Sequence, residues 1–244
     1  MIYSLTVGRN EVHRYLAPVL QAAKETFDSL FFYDDQSTDQ TPEIAREYAN
    51  VVFTRRPETP RFLEHEGLFR QGAWDAFETS MQPRDGDWVF VLDCDEVLVG
   101  TGASSPKAAL NQVVNAAVTP AVHVSIPEVW GFEGDKPLVR VDRLWGTIFA
   151  PRLFRYRPNG QFARTHFGVP AVPMYVMAGA KGQTDQVSLL HYGYADPEDR
   201  QMKYKRYKGE GGHSNSHVDS IVSPPTLELW AGPYDVRVRR NGDR

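Results

Sequence analysis

The sequence has little cysteine, no long apolar run and no excess of basic charge, and each shortage excludes a class of protein. Cys94 is the single cysteine among 244 residues, which excludes an internal disulfide and a cysteine-rich zinc site and predicts a reducing, intracellular setting. No apolar run approaches the roughly 18 residues that span a bilayer, and the N-terminus lacks the pattern of a signal peptide. The net charge of −4 gives no global field for nucleic acid or anionic membranes. We therefore expect a cytoplasmic protein.

An apolar run that leads into acidic residues is the feature around which the rest of the sequence is organised. Residues 88–92 are all apolar, as in a short strand buried on both faces. Asp93, Asp95 and Glu96 follow, and we expect them at the carboxyl end of the strand because a buried strand does not hold unpaired charge. In an extended chain Asp93 and Asp95 point the same way, while Cys94 points into the core. Two such carboxylates suit Mg²⁺ or Mn²⁺, with phosphates completing the coordination.

A second acidic cluster follows another predicted strand. Residues 29–33 are rich in β-forming side chains and end in Asp34-Asp35. Further strands are predicted at 2–7 and 51–54, with helices between successive strands, and this alternation predicts a parallel sheet with right-handed crossovers. Both acidic clusters then lie at one edge of one sheet, where open α/β sheets bind their ligands. Two clusters at one edge predict a binding site.

Beyond residue 100 the pattern predicts more antiparallel pairing. Ser105-Pro106 opens a helix, and strands are expected over 121–130, 139–145 and 151–157. A helix begins near Asp196, a glycine-rich stretch at 209–217 predicts a mobile loop, and the C-terminus is a basic tail.

Several side chains in this half have a structural interpretation beside a functional one. His213 and His217 are four residues apart, but glycine and serine surround them, so we expect loop residues and no metal pair. We expect the following aromatic residues to pack in the core and not against a sugar: Trp130, Phe132, Trp145 and Phe149.

Two signatures resemble those of the family 2 glycosyltransferases. Residues 34–41 resemble the Asp-Asp-Gly-Ser-x-Asp-x-Thr signature that follows a strand in that family. About sixty residues later, residues 88–96 resemble its strand ending in Asp-x-Asp, and Arg9-Asn10-Glu11 fits its opening. The resemblance covers residues 1–100, and residues 191–194 with the basic helix after them resemble the end of the small bacterial and phage members.

The resemblance implies a GT-A fold, with a mainly parallel central sheet flanked by helices and a smaller mixed or antiparallel C-terminal half. It also implies a UDP- or GDP-type nucleotide-diphosphate sugar, Mn²⁺ or Mg²⁺, and hexose-like transfer with inversion at the anomeric carbon. Residues 1–100 would bind the nucleotide sugar, residues 101–195 would form the acceptor side, and residues 196–244 would hold the helix, the loop and the basic tail.

The resemblance also implies roles for individual residues. Asp95 would bind the metal and the diphosphate, Asp93 would approach the ribose or a metal-bound water, and His191 would complete the metal shell. Asp34 and Asp35 would hold the base and ribose of the donor, with Asp34 favoured. The expected phosphate or donor contacts are Arg70, Lys203 and Arg206.

An inverting transfer needs a general base, and here the chain departs from the family pattern. Many members place an acid after the strand at 151–157, whereas residues 165–168 contain His166 with no adjacent acid. The imidazole of His166 titrates near neutral pH and suits a base. Glu128 and Asp142 are the other candidates, and the sequence leaves the three open.

Two other functions stay open at the level of sequence. A nucleotidyltransferase would need a glycine-rich, basic loop for a triphosphate, and residues 8–11 are too short and too acidic for it. The second alternative is a catalytically silent nucleotide-sugar or carbohydrate-binding domain. The missing acid beside His166 favours it, whereas the two intact acidic clusters argue against it. The acceptor is a glycan, a protein side chain or a modified nucleic-acid base. The net charge argues against the last, which only the basic tail favours: Arg237, Arg239, Arg240 and Arg244.

Overall fold

The first part of the chain alternates strands and helices, as its sequence predicts. The structure is a computed structural model, which describes residues 1–102, 105–142, 145–166, 168–210, 215–234 and 238. The first elements are β1 (Ile2–Gly8), α1 (Leu16–Thr26), β2 (Ser29–Asp34), α2 (Thr41–Tyr48), β3 (Val51–Thr54), α3 (Glu66–Met81) and β4 (Trp88–Asp93). β1 pairs in parallel with β2 and with β4, and β2 pairs in parallel with β3. The predicted parallel sheet is confirmed, and its carboxyl ends share one edge.

The second part completes this sheet and adds a small one. Its strands are β5 (Glu96–Gly100), β6 (Ala121–Ile126), β7 (Val129–Glu133), β8 (Lys136–Arg140), β9 (Ile148–Arg155), β10 (Lys181–His191) and β11 (Leu227–Leu229). Its helices are α4 (Pro106–Ala116), α5 (Met174–Ala178), α6 (Pro197–Glu210) and α7 (Asn215–Ser220). In the described residues the main sheet has the order β3-β2-β1-β4-β9-β6-β10-β5, and β11, β8 and β7 form the small sheet.

The pairing in the second part is mixed, as predicted. β9 runs antiparallel to both β4 and β6, β10 runs parallel to β6, and β5 closes the edge antiparallel to β10. Because β9 is antiparallel to β4, its N-terminal end lies beside the carboxyl end of β4. The acidic residues after β4 therefore have side chains of β9 as neighbours.

Three strand predictions differ from the structure, and the strand expected over 139–145 is found earlier in the chain, as β8 (Lys136–Arg140). The single strand expected over 121–130 is divided, because Pro127 has no N–H for the ladder and the Glu128 carbonyl accepts a hydrogen bond from the N–H of Arg140 at 3.0 Å. The chain therefore leaves the main sheet after β6 and enters the small sheet as β7. The strand β5 was not predicted, because its first residue, Glu96, belongs to the acidic cluster that we expected beyond the end of a strand.

Apolar side chains cover both faces of the main sheet. Along β4, Phe90 and Leu92 pack with α1 and α4 on one face, while Val89 and Val91 pack with α3 on the other. Burying each such side chain contributes about 1.5–3 kcal/mol. This two-sided burial explains the unbroken apolar run and fixes the position of β4 in the centre of the sheet.

Some C-terminal predictions fall partly outside the described residues. The expected loop at 209–217 includes the end of α6 and the start of α7, and residues 211–214, with His213, are not described. The four tail arginines also lie outside the described residues. None of the helices that the structure does describe has both the length and the apolar character needed to cross a bilayer.

Candidate active site

A cleft of about 420 Å³ opens at the carboxyl edge of β1, β2 and β4. Asp35, after β2, and the acids after β4 both line it, so the two acidic clusters come together as the sequence predicts. Residues 9–14, which follow β1, and helix α6 form further parts of its wall. Its charged lining residues are Arg9, Glu11, Arg14, Asp35, Arg70, Asp93, Asp95, His191, Lys203 and Arg206.

Asp95 is buried in a turn that begins directly after β4. Its carboxylate lies 3.1 Å from Arg14 Nη2, 3.5 Å from His191 Nε2 and 3.8 Å from Lys203 Nζ. Burial alone would raise the pKa of Asp95, but the positive charges of His191, Lys203 and Arg14 outweigh it and hold that pKa well below its ordinary value. Asp95 is therefore an ionised carboxylate within a group of cations.

Asp93 has a different neighbourhood, because the extended chain ends at its position. Its carboxylate lies 3.5 Å from Arg152 Nη2, and the same nitrogen lies 2.5 Å from Glu96 Oε1. The other oxygen of Glu96 accepts the N–H of Asp93 at 2.9 Å. Arg152 and Glu96 thus hold Asp93 at the end of β4, a role that sequence reasoning missed for both.

His191 stands at the end of β10 with a carboxylate near each ring nitrogen. Nδ1 lies 2.5 Å from Glu128 Oε2, and Nε2 lies 3.5 Å from Asp95 Oδ1. Burial would lower the pKa of His191, but Glu128 and Asp95 outweigh it and raise that pKa to about 10. A metal ion at Nε2 would have to displace this proton.

The donor atoms around Asp95 fit a divalent ion that also binds a diphosphate. Asp95 Oδ1 and His191 Nε2 supply one oxygen and one nitrogen, facing each other at 3.5 Å. In the described residues no group of three or more His, Cys, Asp or Glu side chains is arranged to hold a metal, and the expected ligand Asp93 turns to Arg152. At phosphate-transfer sites Mg²⁺ is usually bound by one or two carboxylates together with substrate phosphates, and Asp95 supplies one such carboxylate.

Gly193 gives these side chains the room to converge. A Cβ at this position would lie 2.2 Å from Lys203 Nζ, 2.5 Å from His191 Nε2 and 2.6 Å from Asp95 Oδ2. All three distances are shorter than any ordinary contact, so the three charged groups pack directly over the backbone of Gly193.

Asp34 and Asp35, at the end of β2, lie in different surroundings. Asp35 lines the cleft, with Oδ1 2.5 Å from Arg55 Nε and Oδ2 accepting the N–H of Phe62 at 3.3 Å. Asp34 is buried below the loop, and its oxygens accept the N–H of Ser37 at 3.2 and 3.3 Å. Asp35 therefore lines the cleft, whereas Asp34 accepts hydrogen bonds within the turn that follows β2.

The expected phosphate contacts lie at the cleft, each already supported by a neighbour. Arg70 is paired with Glu66 at 2.8 Å, the Lys203 ammonium lies 4.1 Å from the ring centre of Tyr194, and the Arg206 guanidinium lies 4.6 Å from that of Tyr207. Two further cations, Arg9 and Arg14, were missed. The spacing of Glu11 and Arg14, three residues apart with an ion pair at 2.9 Å, was the available signal.

The three candidates for the general base are dispersed, and none of them belongs to the lining of the cleft that the described residues outline. Glu128 is held by His191. Asp142 lies 2.5 Å from Arg140 beside the small sheet. The ring of His166 stacks on that of His65 at 4.2 Å, and its carbonyl accepts the first N–H of α3 at 2.9 Å.

Most of the other residues considered in the sequence analysis pack against neighbouring side chains or backbone. Cys94 is buried and its Sγ lies 3.2 Å from the carbonyl oxygen of Val7, in agreement with a packing role. Trp130 and Trp145 are buried together with Tyr194, and His217 stacks on Trp145 at 4.6 Å. Phe132 packs partly buried against the main core. Phe149 departs from the expected core position, since it is 42% exposed.

Comparison with known proteins agrees with this architecture. The model of the Glycosyl transferase family 2 matches residues 7–175, which include both acidic clusters and the strands from β2 to β9. The chain is a family 2 glycosyltransferase. Membership gives this glycosyltransferase its reaction class and favours sugar transfer over nucleotidyl transfer. No curated protein sequence matches the chain.

Solved structures similar to this glycosyltransferase include sugar-phosphoglycerate synthases. Glucosyl-3-phosphoglycerate synthase from Mycobacterium tuberculosis, in complex with Mn²⁺, UDP and glucosyl-3-phosphoglycerate, is 14% identical over 94% of this chain and 87% of that chain, with a TM-score of 0.49. Mannosyl-3-phosphoglycerate synthase from Rubrobacter xylanophilus is 15% identical over 96% and 85%, with a TM-score of 0.46. A mycobacterial protein is 19% identical over 52% of this chain but only 41% of its own, with a TM-score of 0.37.

Proposed function

We propose that this glycosyltransferase moves a sugar from a UDP- or GDP-type nucleotide-diphosphate sugar to an acceptor hydroxyl, with inversion at the anomeric carbon. The observation that carries the proposal is the convergence of Asp95, His191 and Lys203 in a cleft that Asp35 also lines. Residues 1–100 supply most of the donor side of this cleft, and we assign the acceptor side to residues 101–195.

The donor-binding roles follow from position and charge. Asp35 lies at the carboxyl end of β2, where it accepts hydrogen bonds, and we assign it to the sugar or base of the nucleotide. Asp93, held by Arg152, is assigned to the ribose. The donor diphosphate is assigned to the cationic side chains of the cleft: Arg14, Arg70, Lys203 and Arg206.

Asp95 and His191 would hold Mn²⁺ or Mg²⁺. When bound, the ion would supply positive charge that stabilises the departing nucleoside diphosphate. In the transfer, the bond from the anomeric carbon to the phosphate oxygen breaks and its electron pair leaves with the diphosphate. The acceptor oxygen forms the new bond to the same carbon and gives its proton to a base. Lys203 and Arg14 stabilise the same developing charge through fixed cations.

None of the three candidates for the general base lines the cleft that the described residues outline. Of the three residues considered, Glu128 is occupied by His191 and Asp142 by Arg140. His166 is therefore the candidate we retain. It lies on the segment that follows β9, in the part of the chain that we assign to the acceptor side.

The experiment is release of nucleoside diphosphate from a panel of UDP- and GDP-sugars in the presence of Mn²⁺. Water serves as the acceptor where no other is supplied, and ¹H NMR reads the anomer of the sugar at early times. We expect turnover of one donor class, with a β sugar released from an α-linked donor. A retained anomer would contradict inversion, and no turnover of any donor together with no binding would favour a silent binding domain.

A further inference from the structure

The backbone fixes Glu128 beside His191 from two directions. Glu128 lies in the short connection between β6 and β7, and its carbonyl accepts the N–H of Arg140 at 3.0 Å. The N–H of His191 donates to the carbonyl of Pro127, also at 3.0 Å, and a parallel β-bridge joins Glu128 with His191. The turn that divides the two sheets therefore holds Glu128 in register with the end of β10.

The side chains then meet in a partly buried contact on the side of the imidazole ring away from Asp95. Glu128 Oε2 lies 2.5 Å from Nδ1, with 13% of the Glu128 side chain and 16% of the His191 side chain exposed. A carboxylate that accepts from Nδ1 leaves Nε2 as the nitrogen that can bind another group. Nε2 is the nitrogen that faces Asp95, at 3.5 Å.

We propose that Glu128 is a positioning residue for His191, which orients the ring so that Nε2 joins Asp95 in holding the divalent ion. The proposal rests on the proposed function, since it presupposes that Asp95 and His191 bind the ion. It also argues against Glu128 as the general base, because Glu128 does not line the cleft and its Oε2 lies 2.5 Å from His191 Nδ1. Carboxylates behind metal-binding histidines act in this way by fixing the tautomer and raising the basicity of the ring.

The test compares Glu128→Gln and Glu128→Ala with the matched control Glu133→Gln, which removes the same charge from an exposed position on the neighbouring strand β7. Affinity for Mn²⁺ is measured by calorimetry in the presence of UDP or GDP, whichever the wild type binds, and kcat and KM are measured separately. We expect affinity for Mn²⁺ to fall by about 10-fold in Glu128→Gln and about 100-fold in Glu128→Ala, the range for such residues. The smaller loss in Glu128→Gln follows because its amide oxygen still accepts from Nδ1. The control should bind as the wild type does.

The possible failures can be told apart. If both Glu128 variants bind Mn²⁺ with wild-type affinity, the positioning role is wrong, and a loss of kcat alone would identify Glu128 as the base. If the wild type takes up no Mn²⁺ with either nucleotide, the proposed function fails and this proposal fails with it. Thermal unfolding of the metal-free variants checks folding, and the nearly isosteric Glu128→Gln decides the matter if Glu128→Ala does not fold.

Discussion

At the scale of single residues, Asp95 joins elements that are distant in the chain. Arg14 precedes α1, His191 ends β10 and Lys203 belongs to α6, yet all three lie within 3.8 Å of its carboxylate. Removing one member of such a buried charged group leaves the others without compensation. The stabilisation of such a variant by a ligand must therefore be measured relative to the stability of the same variant without ligand.

Gly193→Ala tests whether the convergence depends on the missing side chain. The new Cβ would overlap Lys203 Nζ, His191 Nε2 and Asp95 Oδ2. We expect unfolding free energy to fall by about 1–3 kcal/mol, the usual cost of overpacking, and Mn²⁺-dependent nucleotide binding to be lost. Urea denaturation and calorimetry measure the two effects.

The matched control for that substitution is Gly209→Ala. No atom lies within 4 Å of the position of its Cβ, and it belongs to helix α6, where alanine is preferred by up to about 1 kcal/mol. This variant should be as stable as the wild type or more so, and should bind normally. Normal binding by Gly193→Ala would contradict the steric role of Gly193.

Glu11 gives a prediction about pH. Burial raises the pKa of Glu11 to about 7, and the opposing effect of the Arg14 charge is smaller. The unfolded chain has the ordinary pKa near 4.3, so the folded state binds the extra proton between these values. The contribution of Glu11 to stability is therefore complete below about pH 4 and is lost as the pH rises through about 7.

Glu11→Gln should remove this dependence. Relative to the wild type, the variant should gain stability as the pH rises from about 5 to 7, at up to about 1.4 kcal/mol per pH unit. Urea denaturation of the metal-free proteins across this range measures the difference. A difference that stays constant with pH would show that Glu11 titrates normally in the folded protein.

At the scale of elements, helix α6 presents two different sides. Lys203 and Arg206 line the cleft, whereas Lys205 is exposed beside a shallow groove elsewhere on the helix. The spacing of three residues between the first two predicts this shared face. The sequence could not predict the ion pair that joins α6 to the rest of the site. Asp199, at the start of α6, is buried and lies 3.6 Å from Arg14 Nε.

Substitutions on α6 test the role of that face. Lys203→Gln and Arg206→Gln should each weaken binding of the nucleoside diphosphate by about 10-fold, or about 1.4 kcal/mol, because a charge-assisted contact to phosphate is lost. Lys205→Gln, on the same helix, should bind as the wild type does. Fluorescence or calorimetric titration with UDP and GDP would measure the three affinities, and equal losses in all three would indicate a general charge effect instead.

At the scale of the whole molecule, the sequence predicts the part of the fold that depends on local patterns of apolar, turn and helix-forming residues. The strands β1, β2 and β4 are apolar runs that end in turn or acidic residues, and parallel pairing follows from the helices between them. The second part depends on long-range pairing. Glu96 is tolerated inside β5 because Arg152, 56 residues away in the chain, lies 2.5 Å from it, and no local pattern encodes that contact.

The same difference applies to the site. The sequence predicts Asp93, Asp95 and His191 because strand ends and a family resemblance point to them. It does not predict Arg14 or Arg152, because their importance comes from the acids they meet across the sheet. It also could not distinguish the surroundings of Asp34 and Asp35, since the two are adjacent at the end of one strand and only the structure shows that Asp35 lines the cleft.

The most direct measurement is the thermal stabilisation of this glycosyltransferase by UDP- and GDP-sugars, with and without Mn²⁺, for the wild type and Asp95→Asn. At a hundredfold excess over the Kd, a bound donor stabilises the folded state by about 2.7 kcal/mol, or roughly 5–10 °C in Tm for a chain of this size. We expect one donor class to give this shift only with Mn²⁺, and Asp95→Asn to lose it relative to its own ligand-free Tm. A shift that is independent of Mn²⁺ and of Asp95, or none with any donor, would contradict a metal-diphosphate centre at Asp95.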